Sequence, residues 1–131
     1  MKYFLDANAV IAVQKNNLRV LEKVRFQGAE DIATSSIVMH EPHFGAFKSD
    51  RTERNLDELA KLRFRVIDFD RKDAHFAGNI RSDLRRLGTP IGPYDTLIAG
   101  QALARDLTLM TRNTREFARV EGLRVEDWEA A

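Results

Sequence analysis

Short apolar segments that stop at polar residues alternate with longer segments of helical periodicity along nearly the whole chain. Residues 2–5 form one apolar segment that stops at Asp6, and residues 107–111 form another ahead of Arg112. Parallel strands need crossover connections, which are usually helices. The alternation therefore predicts an α/β sandwich, with a mainly parallel sheet covered by helices on both faces.

The pattern predicts five strands and seven helical segments. The strands are residues 2–5, 31–34, 65–69, 107–111 and 123–125. The helical segments are residues 9–14, 18–27, 37–47, 56–62, 71–87, 96–104 and 115–117. Gly28 suits a helix C-cap, and Pro42 predicts a kink or a break in the third helical segment. Residues 89–94, Thr-Pro-Ile-Gly-Pro-Tyr, are the longest group of helix breakers.

Length and composition bound the class of protein. A chain of 131 residues with 44 % apolar residues can bury one core, so we expect a single domain, 1–131. Because the chain has no cysteine, disulfides, thiolate metal sites and cysteine nucleophiles are excluded. Asp6 interrupts any signal-peptide apolar region, and no apolar run approaches the ~20 residues that span a bilayer. We therefore expect a cytoplasmic protein that does not enter a membrane.

Three acids lie where the pattern predicts burial: Asp6 after a strand, Glu41 in an apolar helix, and Asp95 before an almost uncharged helix. A buried carboxylate is costly to keep ionised unless it is paired, hydrogen-bonded, protonated or bound to a metal. Asp6 and Asp95 precede helices, so each also fits an ordinary N-cap. Glu41 has no such explanation. It shares the apolar face of its helix unless Pro42 bends the helix and exposes it.

These acids, with Glu116 as a possible fourth, lie on distant segments that one edge of a parallel sheet can bring together. Clustered carboxylates raise each other's pKa, and a hard divalent cation such as Mg²⁺ or Mn²⁺ relieves the repulsion. His40 and His43 flank Glu41, but the chain has no HExxH or similar pattern, which disfavours zinc.

A divalent ion held by carboxylates in an open cleft suits phosphodiester hydrolysis. Residues 88–93 lack the lysine of a nucleotide-binding glycine loop, which disfavours nucleotide hydrolysis. Arg112, Arg115 and Arg119 lie close to Asn113 and can form an electropositive lip for a nucleic-acid backbone. A solvated helix face explains the same arginines equally well.

In this order along the chain, the motifs resemble those of the PIN-domain nucleases and, within them, the VapC toxins of bacterial toxin–antitoxin modules. The resemblance lies in Phe-Leu-Asp-Ala-Asn at 4–8, Glu41 with Gly-Ala at 45–46, and Gly-Thr-Pro-Ile-Gly-Pro-Tyr-Asp at 88–95 with Ile-Ala at 98–99. Further matches are Thr-Arg-Asn at 111–113, Arg-Glu-Phe at 115–117 and the closing residues 122–128. The motif at 88–95 is the most specific of them.

The resemblance implies a PIN-like three-layer α/β/α sandwich and a Mg²⁺-dependent endoribonuclease, with Mn²⁺ as a substitute. It implies a homodimer inhibited by a cognate VapB-like antitoxin, with DNA contacted only through the antitoxin. A water positioned by the metal would attack structured RNA such as tRNA and leave a 5′-phosphate and a 3′-hydroxyl. The family's catalytic and metal-binding acids fall on Asp6, Asp95, Glu41 and Glu116, and its supporting polar residues on Asn8, Thr111 and Asn113. For such an enzyme, Arg112 and Arg115 of the proposed lip are the candidate RNA contacts.

Two positions depart from the family pattern. Ala7 stands where the family usually has threonine, and Pro42 follows Glu41 where the family usually has another apolar residue. These changes keep open a PIN-like module that has lost catalysis and acts with an antitoxin on operator DNA. A second alternative is a phospho-acceptor receiver domain, which has a similar length, sheet and acidic pocket. A receiver needs paired acids after its first strand and a late lysine, and Met110-Thr111-Arg112 offers no lysine.

Overall fold

The computed structural model describes residues 1–130, which contain a five-stranded sheet. Its strands are β1 (Tyr3–Leu5), β2 (Ile32–Ser35), β3 (Arg65–Ile67), β4 (Thr108–Met110) and β5 (Val125–Glu126). The strand order is β3-β2-β1-β4-β5 and every neighbouring pair is parallel, which confirms the predicted parallel sheet. Receiver domains have the order 2-1-3-4-5, so the strand order excludes that alternative.

The helices connect the strands in two groups. They are α1 (Ala7–Gln14), α2 (Leu18–Gln27), α3 (Ser36–Lys48), α4 (Thr52–Ala60), α5 (Arg71–Arg86), α6 (Pro93–Ala104) and α7 (Thr114–Phe117), with a 3₁₀ turn at Ala29–Asp31. Because crossovers are right-handed, α1–α4 cover one face of the sheet and α5–α7 the other. No helix within residues 1–130 combines the length and the apolar character needed to cross a bilayer.

The core lies along the central strand β1 and its neighbour β4. Phe4 and Leu5 of β1, and Leu109 and Met110 of β4, are fully buried. Side chains on both faces of these strands are covered by helices, which explains why the segments read as continuous apolar runs and not as alternating ones. Because β1 and β4 are held in the core, the residues directly after each strand have fixed positions at the carboxyl edge of the sheet.

Two helices differ from the sequence prediction around proline. Helix α6 begins at Pro93 and not at residue 96, because proline lacks an N–H that the first helical position does not need. Helix α3 continues through the buried Pro42, so the predicted break is absent. Pro42 cannot donate to the Val38 carbonyl.

Two histidine side chains contact the backbone carbonyls on either side of Val38. His40 Nδ1 lies 2.6 Å from the Ile37 carbonyl, and His43 Nδ1 lies 2.7 Å from the Met39 carbonyl. Elsewhere the predicted elements recur with shifted ends: β3 and β5 are shorter, while α1 and α4 begin earlier than expected.

Helices α5 and α6 approach each other most closely at Gly100. A Cβ atom at this position would lie 2.6 Å from the backbone N, the Cα and the Cβ of Ala77. Such a distance is shorter than van der Waals contact, so any larger residue forces the two helices apart. Since α6 carries Asp95 in its first turn, the contact also fixes the depth of that residue.

We expect Gly100→Ala to lower the free energy of unfolding by about 1–3 kcal/mol, because the added methyl group overpacks the helix contact. Gly78→Ala on the exposed face of α5 is the matched control, since nothing lies within 4 Å of its Cβ position. This control should gain up to ~1 kcal/mol from the better helix propensity of alanine. Urea denaturation of both variants measures the difference, and wild-type stability of Gly100→Ala would contradict the close contact.

Candidate active site

The candidate site lies where the direction of the sheet connections reverses. Strands β1 and β4 are neighbours, while β2 and β3 extend the sheet on the other side of β1. Leu5 pairs with Met110, so the residues that come after them leave the sheet side by side. The Asp6 amide donates to the Met110 carbonyl at 3.1 Å. Such a switch point is where open parallel sheets bind their ligands.

Asp6 is buried and uses both oxygens of its carboxylate. One oxygen accepts from the Ala9 amide at 2.9 Å and caps α1, so the N-cap alternative is correct for this residue. The other oxygen accepts a short hydrogen bond from the Thr111 hydroxyl. Burial raises the pKa of Asp6, although the bonds from Thr111 and Ala9 and the charge of Arg112 act in the opposite direction.

Asp95 is the third residue of α6, and Gly92 occupies the N-cap position, so the N-cap alternative is wrong for Asp95. Its side chain is half-buried. Burial, the negative charge and hydrogen bond of Glu116, and the charge of Asp6 together raise the pKa of Asp95 to about 6. The charges of Asp6, which follows β1, and of Glu116 on α7 therefore both act on Asp95 at this edge of the sheet.

Polar side chains link two of these acids. The Asn113 side-chain amide donates to Glu116 at 2.8 Å, and the Asn113 backbone amide donates to the Thr111 hydroxyl at 3.0 Å. Since that hydroxyl donates in turn to Asp6, a hydrogen-bonded path runs from Asp6 to Glu116. The fully buried Phe117 anchors α7 beneath this path.

The carboxylates of the site have no basic partner. Within residues 1–130, no lysine, arginine or histidine nitrogen forms a salt bridge with Asp6, Asp95 or Glu116. Asp73 shows the contrast, because this buried acid completes a capping box on α5 and binds Arg105 at 3.0 Å. The charge of Asp73 is thus balanced by a cation of the fold, while Asp6 and Glu116 have hydrogen-bond donors, and neither they nor Asp95 form an ion pair among the described residues.

The donor set of the site fits a hard divalent cation. Carboxylate and amide oxygens are the ligands that Mg²⁺ and Mn²⁺ prefer, and a cation would relieve the repulsion that raises the pKa of Asp95. In the described part of the chain, no three His, Asp or Glu side chains converge tightly enough to hold one ion as they stand. Mutual repulsion among uncompensated carboxylates predicts such spacing.

Among the described residues, Glu41 and Asn8 form no hydrogen bond with Asp6, Asp95 or Glu116. The Glu41 side chain is 46 % exposed and lies 3.4 Å from His40 Nε2, so it does not share the apolar face of α3. The negative charges that act on Asp95 come from Glu116 and Asp6, not from Glu41. Asn8 is exposed in the first turn of α1.

The three arginines of the predicted lip differ in their contacts. Arg112 is exposed, and its charge acts on Asp6. Arg115 is exposed on α7. Arg119 donates to the Pro90 carbonyl at 3.0 Å and so ties the region after α7 to the loop before α6. The side chains of Arg112 and Arg115 form no hydrogen bond among the described residues, so they are the better candidates for contacting RNA.

Glu129 is a further acid beside the site. Its charge contributes to raising the pKa of Asp6, and its side chain accepts from Asn17 at 3.3 Å. The neighbouring Trp128 is buried with its ring 5.0 Å from that of Tyr3. No motif surrounds Glu129, so only the path of the chain over β1 reveals its position.

Fold and acidic edge together define a nuclease of the PIN-domain class, and residues 3–123 match the PIN domain family. The tRNA(fMet)-specific endonuclease VapC of Salmonella typhimurium is 41 % identical, and that of Shigella flexneri is 42 % identical, each over 98 % of both chains. The structure of DNA-bound VapBC from Salmonella typhimurium aligns with a TM-score of 0.92 over 98 % of both chains. The chain belongs to the PIN-domain family and, within it, to the VapC ribonucleases.

We expect Asp95→Asn to raise the thermal unfolding midpoint at pH 7 in EDTA. The pKa of Asp95 is about 6 in the folded protein against 3.8 for an unperturbed aspartate, so ionisation opposes folding increasingly from pH 4 to pH 6 and fully above it. Because the side chain is half-exposed, screening limits the gain to about 1 kcal/mol.

Thermal unfolding from pH 3.5 to 8 measures this effect. The curves of Asp95→Asn and wild type should approach each other as the pH falls to 3.5, because below the unfolded-state pKa of 3.8 the carboxyl becomes mostly protonated in both states. Glu22→Gln on the exposed face of α2 is the control and should leave the midpoint unchanged. A lower midpoint for Asp95→Asn at pH 7 would show that Asp95 stabilises the fold.

Proposed function

We propose that this VapC ribonuclease is the toxin of a toxin–antitoxin module that cleaves structured RNA with Mg²⁺, or with Mn²⁺ as a substitute. The observation that carries the proposal is the unpaired acidic cluster of Asp6, Asp95 and Glu116 at the switch point. The activity resides in a single domain, 1–131, which acts in the cytoplasm.

Asp6 and Asp95 are the proposed metal ligands, with Glu41 as a third from the rim. A bound divalent ion supplies the activation of water and the neutralisation of charge on the phosphoryl oxygens. Thr111 and the Ala9 amide orient Asp6, and Asn113 orients Glu116. Glu116 lies within hydrogen-bond reach of Asp95, so this pair can hold a proton between its oxygens. Asn8 remains an exposed polar neighbour.

The proposed products are a 5′-phosphate and a 3′-hydroxyl. Arg112 and Arg115 are exposed beside the cluster and can contact phosphates on either side of the cleaved bond. The names of the Salmonella and Shigella relatives support initiator tRNA as the first substrate to test.

A VapB-like antitoxin and a homodimer complete the proposal. The Salmonella structure contains DNA-bound VapBC. A structure from Rickettsia felis contains VapBC2 bound to a DNA fragment from its promoter. The Rickettsia chain is 32 % identical to this one and aligns with a TM-score of 0.89 over 98 % of this chain and 99 % of the Rickettsia chain. We infer that this chain meets DNA only through its antitoxin.

The two departures from the family pattern are compatible with catalysis. Ala7 lacks a hydroxyl, but the Thr111 hydroxyl binds Asp6 from β4. Pro42 lies within a continuous α3. Neither residue disturbs the three acids, which favours the enzyme over the module that acts only by binding.

We expect the purified, antitoxin-free protein to cleave initiator tRNA with Mg²⁺ or Mn²⁺ and not with EDTA. Asp6→Asn and Asp95→Asn should each lower the rate about 100-fold or more, because each removes a proposed ligand. Glu22→Gln is the matched control and should cleave like wild type. Mapping the fragment ends checks for 5′-phosphates. Equal cleavage by both aspartate variants, or none by the folded wild type, would overturn the proposal.

Glu41→Gln tests whether the rim acid contributes to the site. We expect the Mg²⁺ concentration for half-maximal cleavage to rise about 10-fold, with activity recovered at saturating Mg²⁺, because Glu41 is an exposed acid on a different segment of the chain from the other three. A Mg²⁺ titration of the cleavage rate measures this shift. An unchanged titration would remove Glu41 from the site.

A further inference from the structure

An exposed aromatic pair lies beside the acidic cluster, and the proposed chemistry does not use it. Tyr94 immediately precedes Asp95, and its side chain is 55 % exposed. Its ring centroid lies 4.8 Å from that of His40, with an angle of 49° between the rings. Among residues 1–130, no side chain or backbone group forms a hydrogen bond with the Tyr94 hydroxyl.

The His40 ring is oriented by a hydrogen bond at Nδ1, and its other nitrogen faces a carboxylate that pairs with the ring when the ring is protonated. Nδ1 lies 2.6 Å from the Ile37 carbonyl, and Nε2 lies 3.4 Å from a carboxylate oxygen of Glu41. The pair thus joins α3 to the first turn of α6, where Asp95 lies. The contact between the two rings and the His40 bond to Ile37 restrict the pair, which lowers the cost of ordering it against a flat ligand.

The charge of the site indicates which ligand the pair suits. Asp6, Asp95 and Glu116 repel the phosphates of RNA, so attraction at this edge must come from basic or uncharged groups. Arg112 supplies a positive charge near Asp6. An aromatic face attracts a nucleobase without any charge, and stacking tolerates every base because each has a π-face.

We propose that Tyr94 and His40 form a stacking platform for an unpaired base next to the scissile phosphate. This inference rests on the proposed function, since it requires RNA as the substrate. A base within a duplex is stacked on its neighbours and cannot lie on the platform, whereas a loop base can turn outward. The platform therefore restricts cleavage to single-stranded positions of a folded RNA.

The test uses binding in EDTA, where no cleavage occurs. The probes are the stem–loops of initiator tRNA, each with 2-aminopurine at successive loop positions, and a blunt duplex of a stem sequence is the comparison RNA. Tyr94→Leu removes the aromatic face, Tyr94→Phe keeps it, and His40→Leu removes its support. Phe26→Leu is the matched control, because Phe26 is 84 % exposed and lies at the opposite edge of the sheet, near the 3₁₀ turn that leads into β2.

Tyr94→Leu should raise the Kd for the stem–loop that the wild type binds most tightly about 10-fold and abolish 2-aminopurine quenching at one loop position. His40→Leu should raise the Kd by a smaller factor. Tyr94→Phe and Phe26→Leu should stay within about 2-fold of wild type, and the weak binding of the duplex should be the same for all variants. With Mg²⁺, Tyr94→Leu should raise KM more than it lowers kcat, while its thermal unfolding midpoint stays at the wild-type value.

The inference is overturned if Tyr94→Leu binds and cleaves the stem–loop like wild type. It is also overturned if Tyr94→Phe loses as much affinity as Tyr94→Leu, or if the affinity lost tracks a lowered unfolding midpoint. If the wild type cleaves RNA and the Tyr94 variants bind and cleave it equally well, the platform is wrong but the proposed function stands. If wild type neither binds nor cleaves any RNA, the platform and the proposed function both fail.

Discussion

The two hydrogen-bonded oxygens of Asp6 join three elements of the fold at one point. The Ala9 amide connects the carboxylate to α1, and the Thr111 hydroxyl connects it to the end of β4. The pairing of Leu5 with Met110 makes this geometry possible, because it brings the ends of β1 and β4 to the same level. The same residue therefore caps a helix, closes the sheet edge and faces the other acids, although burial raises its pKa. Burial of the Asp6 carboxylate lowers the stability of the fold, but it fixes a negative charge at the edge where a cation would bind.

The sequence predicted the sheet because each strand is a short apolar run with a clear end. Asp6 and Asp95 could be singled out because an acid directly after an apolar run, or at the start of an uncharged helix, conflicts with burial. The predicted start of α6 was three residues late because proline disrupts a helix interior but is favoured at the first helical position, which Pro93 occupies. The predicted burial of Glu41 was wrong for another reason. Helical periodicity gives the face on which a residue lies, but a small rotation of α3 that buries Pro42 is enough to expose Glu41.

Other parts of the site depend on contacts between segments distant in sequence. Glu129 reaches Asp6 only because Trp128 packs on Tyr3 and directs the chain over β1. Tyr94 and His40 are more than fifty positions apart and show no shared pattern, so only the packing of α3 against α6 reveals the pair. Arg119 looked like a free cation in the sequence, and its bond to a backbone carbonyl depends on the course of one loop.

That single bond from Arg119 to Pro90 has a mechanical consequence. Glu116 lies on α7, three residues before Arg119, and Asp95 lies in the turn of helix that comes after the Pro90 loop. The Arg119 guanidinium thus links the two segments that carry these acids. The bond therefore couples the position of the segment that carries Glu116 to that of the segment that carries Asp95. Asp6 is held independently of both, by the Ala9 amide and the Thr111 hydroxyl.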